Sequence, residues 1–264
     1  RPSIAILSSE AVVGTMGDAL PLAMSLELIH AATLIYDDII DKDKIRRGIP
    51  SLHIKYGDDL AIVAGAILAT RAIEEIRGDT RVFPLVFDAM HETSVGEAMD
   101  IRLDIFNERI YYDMVRRKCA SLIRVAAEAG GIVGGGSKRE VKALSQYGEN
   151  LGIAFQVRDD ILDFVGDESV LGKPLGSDIR AKGNSIVVIK LADKLGVNTQ
   201  ELDETGLDTK GLIDLAVSSG CIRISEKACE YYGSRAKSAL SMLKDSREKD
   251  YLINLADFVT NRDY

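Results

Sequence analysis

Tryptophan is absent from this chain of 264 residues, and cysteine, histidine and proline are scarce, with three, three and five copies. Cys119, Cys221 and Cys229 are odd in number and widely spaced. That excludes a disulfide framework and a cysteine-rich zinc site, and it fits a reducing, cytoplasmic compartment. His30, His53 and His91 form no H-x3-H or H-E-x-x-H pair, which argues against a histidine-based transition-metal centre. Long hydrophobic runs are also missing. The longest uncharged apolar stretch, residues 60–70, falls short of the roughly 20 residues a membrane span needs, so no transmembrane segment is expected. Bases are outnumbered, 33 against 41 acids, and a net charge of -8 makes nucleic acid an unexpected partner. No signal-peptide pattern opens the chain.

Helical periodicity fills the space these absences leave. Leu22, Leu26, Ile29, Thr33 and Tyr36 recur at three- and four-residue steps, with Asp18 placed as an N-cap. The pattern predicts helices over 19–36, 58–77, 80–106, 110–129 and 137–165, the last opened by the capping box Ser137/Glu140. Further helices are predicted over 185–195, 208–218, 222–244 and 248–262. No segment alternates with period two, so the fold class is all-α, expected as one domain over residues 1–264. The glycine tract at 130–137 lacks a G-K-[ST] ending and follows a helix, so it reads as an inter-helix connection rather than a phosphate cradle.

One pattern occurs twice. Asp37-Asp38-Ile39-Ile40-Asp41 and Asp159-Asp160-Ile161-Leu162-Asp163 share D-D-x-x-D, 122 residues apart. Residues four apart share a helix face, so the outer carboxylates of each motif crowd together. They do so near a helix C-terminus, the end that disfavours anions. Cations must compensate, and hard carboxylate oxygens suit Mg²⁺, which completes its shell with water and substrate phosphates. A solvated acidic helix end is the alternative for a single motif, and two matching copies weigh against it. Bases follow each motif: Lys42, Lys44, Arg46 and Arg47 after the first, Lys173, Arg180 and Lys182 after the second. Acids that hold a metal beside bases that hold phosphate oxygens suit a metal-bridged diphosphate. His30, two turns before Asp37, is either a core histidine or a donor to a second anion. Lys118, in an apolar helix, is either a snorkelling lysine or one directed at phosphate.

These residues resemble a known family. The stretch from Leu28-Ile29-His30 through Asp37, Asp41 and Arg46-Arg47-Gly48-Ile49-Pro50 resembles the first aspartate-rich region of trans-isoprenyl diphosphate synthases. Gly152 through Gln156, Asp159 and Asp163 resembles the second, and Gly172-Lys173-Pro174-Leu175-Gly176-Ser177-Asp178 resembles the segment that follows it. The resemblance implies an all-α bundle of ten or more helices around a central cavity, normally a homodimer. It implies condensation of isopentenyl diphosphate with an allylic diphosphate, with three Mg²⁺ per active site. Asp37, Asp41, Asp159 and Asp163 are the implied metal ligands, with Asp38 and Asp160 as motif partners. Arg46, Lys118, Gln156, Lys173 and Lys182 are the implied contacts to the allylic diphosphate, and His30 and Arg47 those to isopentenyl diphosphate.

The sequence departs from the family at several points. A Gly-Lys-x-x-Arg-Pro segment usual near the second helix is reduced to Arg1-Pro2, so a first helix is expected upstream of residue 1. Cys119 stands where Thr is usual, Glu97 where Gln is usual, and Gly183-Asn184-Ser185 follows Lys182 where Gly-Lys-x-Thr is usual. Product length in the family depends on the cavity floor below the first motif. Ala32, Thr33 and Ile29 leave that floor without a bulky aromatic. A C20 geranylgeranyl product is therefore expected, with a longer C25–C40 product as the alternative. A terpene cyclase and a non-catalytic partner subunit are the rival readings.

Overall fold

The computed structural model describes residues 1–102, 107–167, 175–180 and 184–263. Thirteen α-helices occur among the described residues. The first five are α1 (Pro2–Glu10), α2 (Met16–Ile40), α3 (Leu52–Tyr56), α4 (Asp58–Ile76) and α5 (Phe83–Arg102). Next come α6 (Glu108–Val115), α7 (Ser121–Val133), α8 (Lys138–Val165) and α9 (Ser177–Arg180). The last four are α10 (Ile186–Leu195), α11 (Thr209–Ser218), α12 (Cys221–Ala239) and α13 (Arg247–Asn261). The long α8 is central and packs on α7 and α12, while α2 packs on α1, α4 and α7. Leu144, Tyr147, Leu151, Ala154, Val157, Ile161 and Phe164 make the buried stripe of α8. Three- and four-residue spacing of this kind is what lets one helix serve as a core for its neighbours.

Several local details differ from the sequence expectation. Helix α2 starts at Met16, capped by Thr15, and Asp18 is the return partner that accepts from the Thr15 N–H at 2.8 Å. A small hairpin, β1 (Ile45–Arg46) and β2 (Ile49–Pro50), interrupts the helices where no strand is expected. Its two-residue turn places Arg47 at φ 53° and Gly48 at φ 79°, the left-handed pair that matches strand twist. Two glycines of the 130–137 tract, Gly130 and Gly131, lie inside α7 rather than in a connection. Helix α2 also reaches a mean hydropathy of 1.4 over 18 residues, enough in length and composition to cross a membrane, which composition over shorter runs does not reveal. Its Leu22, Leu26 and Ile29 are buried against three neighbours, while 39% of that stretch as a whole is buried.

The predicted helix over 110–129 is α6 and α7 joined by a π-helical turn, Arg116–Ala120. A π turn inserts an extra residue and rotates the side chains that follow it. Two glycines let neighbouring helices approach this widened turn. A Cβ on Gly96 of α5 would lie 2.3 Å from the Lys118 backbone nitrogen, and one on Gly152 of α8 would lie 2.5 Å from the Ala120 Cα. Both obstacles are backbone or Cα atoms, which cannot step aside as a side chain can. Gly152→Ala should therefore destabilise the fold by about 1–3 kcal/mol, read as a lower urea midpoint at unchanged slope.

Candidate active site

The two D-D-x-x-D motifs end helices α2 and α8 and face one another. A cavity of about 330 Å³ is lined by Asp37 and Asp41 from the first motif and Asp159 from the second, with His30, Arg46 and Lys118. It adjoins a second cavity of about 440 Å³, and the two share Asp41, Asp43, Lys118, Cys119 and Gln156. Among the described residues, no three acidic, histidine or cysteine side chains are already gathered into a metal-binding cluster. The carboxylates are brought to one cavity without being closed onto one point.

Within each motif the aspartates divide their work. Asp38 is 5% exposed and accepts from Arg46, whose Nε lies 2.7 Å away, so it anchors the hairpin to α2. Asp160 is buried and accepts three hydrogen bonds: from the Tyr111 hydroxyl at 2.7 Å, the Ile186 N–H at 2.7 Å and the Gln156 amide at 2.8 Å. The Ile186 N–H opens α10, so Asp160 lies at the favourable end of that helix. Burial drives the Asp160 pKa well up and these donors oppose it. Asp163 is also turned inward. Its carboxylate accepts from the Ser177 hydroxyl and from the Asp178 N–H at 2.9 Å, at the start of α9. Its backbone carbonyl accepts from the Gly176 N–H at 2.7 Å. Asp163, expected as a metal ligand, thus caps the start of α9 and is not among the residues that line either cavity, although Ser177 and Asp178, which it accepts from, line the second. The second motif is not a copy of the first in use: it presents Asp159 to the cavity that Asp37 and Asp41 line, and Asp160 to the adjoining one.

The charged groups at the cavity perturb each other. Burial, helped by Glu97, pushes Asp37 up to about 7, and burial also raises Asp41. Burial opposes the Lys118 charge, yet Asp100 and Glu97, at 2.6 and 2.8 Å from its ammonium, outweigh burial and hold it protonated. Burial together with Arg1, Arg47 and Arg46 depresses His30 to about 3, so its imidazole is neutral. Two buried nitrogens at this end, His30 Nδ1 and Arg1 Nε, have no hydrogen-bond partner among the described residues. Orphaned donors or acceptors of this kind are costly unless a ligand meets them. Arg47 sits exposed at the hairpin tip, close enough for its charge to bear on His30. Hard carboxylates in excess, raised pKa values that a cation would relieve, and unmet nitrogens beside arginines all suit a divalent metal ion next to an anionic ligand.

Gln156 lies between the motifs, donating to Asp160 and accepting from the Cys119 thiol at 3.0 Å. Burial pushes that thiol up to about 12, so it stays a protonated donor. Thr33 lines the cavity, whereas Ala32 and Ile29, at 3% and 2% exposure, are packed into the core beside it. Lys173 and Lys182 lie outside the described residues.

Sequence reasoning missed Asp100, Tyr111, Asn184 and Arg262. Asn184 donates to the Asp100 carbonyl and carboxylate at 2.8 and 3.0 Å, tying the segment before α10 to α5. The three-residue step from Glu97 to Asp100 on α5 was a readable sign that both could meet Lys118. Arg262 pairs with Asp159 from 103 residues away, and nothing local announces it.

The profile of the family described as polyprenyl synthetase matches residues 1–209. A short chain isoprenyl diphosphate synthase of Methanothermobacter thermautotrophicus is 39% identical, covering 100% of this chain and 86% of that protein. A geranylgeranyl diphosphate synthase of Methanosarcina mazei is 34% identical, covering 100% of this chain and 85% of that protein. Among solved structures, a polyprenyl synthase from Caulobacter crescentus complexed with calcium and isoprenyl diphosphate superposes with TM-score 0.92 at 26% identity, over 100% of this chain and 84% of that one.

Two outcomes follow from the geometry. Asp163→Ala should cost about 2 kcal/mol of stability by orphaning the start of α9, while leaving divalent-ion binding in place; urea unfolding and Mn²⁺ titration separate the two. The second outcome concerns pH. In chelator, the folded chain keeps a proton on Asp37 up to about pH 7, whereas the unfolded chain releases it near 3.8. The Asp37 contribution to stability is then full below about pH 4 and lost as pH rises to about 7. Thermal melts across that window should show this slope, and Asp37→Asn should flatten it.

Proposed function

The chain belongs to the polyprenyl synthetase family, and from that premise we propose that it joins isopentenyl diphosphate to an allylic diphosphate to give a geranylgeranyl (C20) product. One observation carries the site assignment: Asp37, Asp41 and Asp159 line a single cavity together with Arg46, Lys118 and Gln156. Mg²⁺, three ions by the family resemblance, would be held by these three aspartates and would supply positive charge against the leaving diphosphate. Arg46 and Lys118 bind the allylic diphosphate and stabilise the negative charge that grows on it as the allylic C–O bond breaks. His30, neutral and with an open nitrogen, and Arg47 bind the diphosphate of isopentenyl diphosphate and aim its double bond at the allylic carbon. The new C–C bond forms with the electrons of that double bond, and the proton lost afterwards goes to the departing diphosphate. Leu34, Leu122, Ile123 and Phe155 give the cavity an apolar wall that excludes water from the cationic intermediate.

The product length rests on the α2 side of that cavity, where Thr33 and Leu34 present no bulky aromatic ring. The likeness to a relative named geranylgeranyl diphosphate synthase supports the same choice. A longer C25–C40 product is the second reading, favoured by the small Ala32-Thr33 pair. Association as a homodimer is part of the proposal. Val63 and Ile67 on α4 and Phe87 on α5 are 52%, 60% and 55% exposed, an apolar surface that a second copy could cover. The three unpaired cysteines suit a cytoplasmic setting.

The test uses labelled isopentenyl diphosphate with C5, C10 and C15 allylic primers, followed by chromatography of the dephosphorylated products. C20 is expected, EDTA should stop turnover, and Thr33→Phe should shift the product to C15. A wild-type product of C15 only would overturn the length assignment. Turnover of an allylic diphosphate without isopentenyl diphosphate would turn the reading toward a cyclase.

A further inference from the structure

The mechanism above makes no use of Arg262. This residue follows α13 in extended backbone, and its side chain is only 11% exposed. Its guanidinium lies 4.1 Å from the centre of the Phe155 ring, donates to the Phe155 carbonyl at 3.2 Å and donates to Asp159 Oδ1. The contact is returned from α8. Arg158 Nε donates to the Arg262 carbonyl at 2.7 Å, and its Nη2 pairs with Asp263 at 3.3 Å. Two arginines, one from each side, therefore strap the segment after α13 onto α8 beside the cavity.

Asp159 is the carboxylate of the second motif that lines the 330 Å³ cavity with Asp37 and Asp41, whereas Asp160 borders the adjoining one and accepts from the start of α10. The charge on Asp159 is met by Arg262. A divalent ion on the same carboxylate, whose side chain is 40% exposed, would stand beside the guanidinium, and like charges that close repel one another. The strap follows the last turn of α13 and is tied to α8 through the Arg158 and Arg262 contacts, which an ion on Asp159 would oppose, whereas Asp159 is fixed within the long α8.

We propose that Arg262 is the resident counter-cation of Asp159: it weakens divalent-ion binding to the substrate-free enzyme, and an ion that binds there displaces it and frees residues 258–263 from α8. This rests on the reading of Asp159 as a metal-holding residue. The Arg158–Arg262 contact is the latch that keeps the counter-cation in place. Arg262 thereby sets the affinity of the metal step, and the end of α13 reports whether that step has occurred.

The test is Mn²⁺ titration of the full chain without substrate, followed by electron paramagnetic resonance, together with hydrogen exchange over residues 258–263. R262M should bind Mn²⁺ about three- to ten-fold more tightly than wild type, R262K should fall between them, and R158M should shift the same way by a smaller factor. In wild type, saturating Mn²⁺ should speed exchange at residues 258–263 several-fold. Unchanged or weaker Mn²⁺ binding in R262M overturns the proposal, as does unchanged exchange, or a failure of both wild type and R262M to bind Mn²⁺. Asp159→Asn checks the underlying reading separately. If it loses no Mn²⁺ site, the metal assignment of Asp159 fails, whatever R262M does. R158M, which leaves the guanidinium intact, keeps the outcome readable if R262M folds poorly.

Discussion

Carboxylates placed at the C-terminal ends of apolar helices are the constraint on which this structure depends. A helix end of that polarity repels anions, and two or three aspartates within one turn repel one another. The fold answers by dividing the charge. Asp38, Asp160 and Asp163 are each met by donors from within the chain: Arg46 for the first, Tyr111, Gln156 and the start of α10 for the second, and the start of α9 for the third. Asp37 and Asp41 stay uncompensated enough for burial to raise their pKa values. The residual demand for positive charge is located at the cavity, where a metal-bound diphosphate would meet it.

The hairpin, α9 and α10 gain their places from this division. Arg46 reaches Asp38 because the left-handed turn at Arg47 and Gly48 folds β2 back on β1. Helices α9 and α10 both begin on aspartates of the second motif. Lys118 enters from a third direction, rotated by the π turn and steadied between Glu97 and Asp100. Four separate stretches of chain therefore converge on the cavity, each through an ionic or charge-assisted contact, which is stronger than a neutral hydrogen bond.

Features governed by local periodicity were legible in the sequence. The all-helical character followed from three- and four-residue spacing, and the candidate cavity residues Asp37, Asp41, Arg46 and Asp159 followed from two motifs and their flanking bases, while Lys118 and Gln156 followed from the family resemblance. Features that depend on tertiary closure were not. The equal spelling of the two motifs concealed their different use, because whether Asp163 faces a cavity or a helix start depends on where Ser177 and Asp178 return. The hairpin was missed because two-residue strands carry no period. The π turn was missed because one inserted residue scarcely disturbs the hydrophobic pattern. Ala32 and Thr33 are neighbours in sequence but a hundred degrees apart around α2, so one lies in the core and the other on the cavity wall.

The glycine contacts around the π turn have a mechanical consequence. Where Gly96 and Gly152 bring α5 and α8 against the backbone of residues 118–120, the contact is almost wholly main chain, with only the Ala120 methyl between the helices. That side of the cavity is a fixed jaw. The opposite side, α2, meets the cavity through side chains, and those can be lengthened or trimmed without shifting a helix axis. Variation in the room offered to a growing hydrocarbon chain should therefore be found on α2, and the jaw opposite should serve as the datum against which that room is measured.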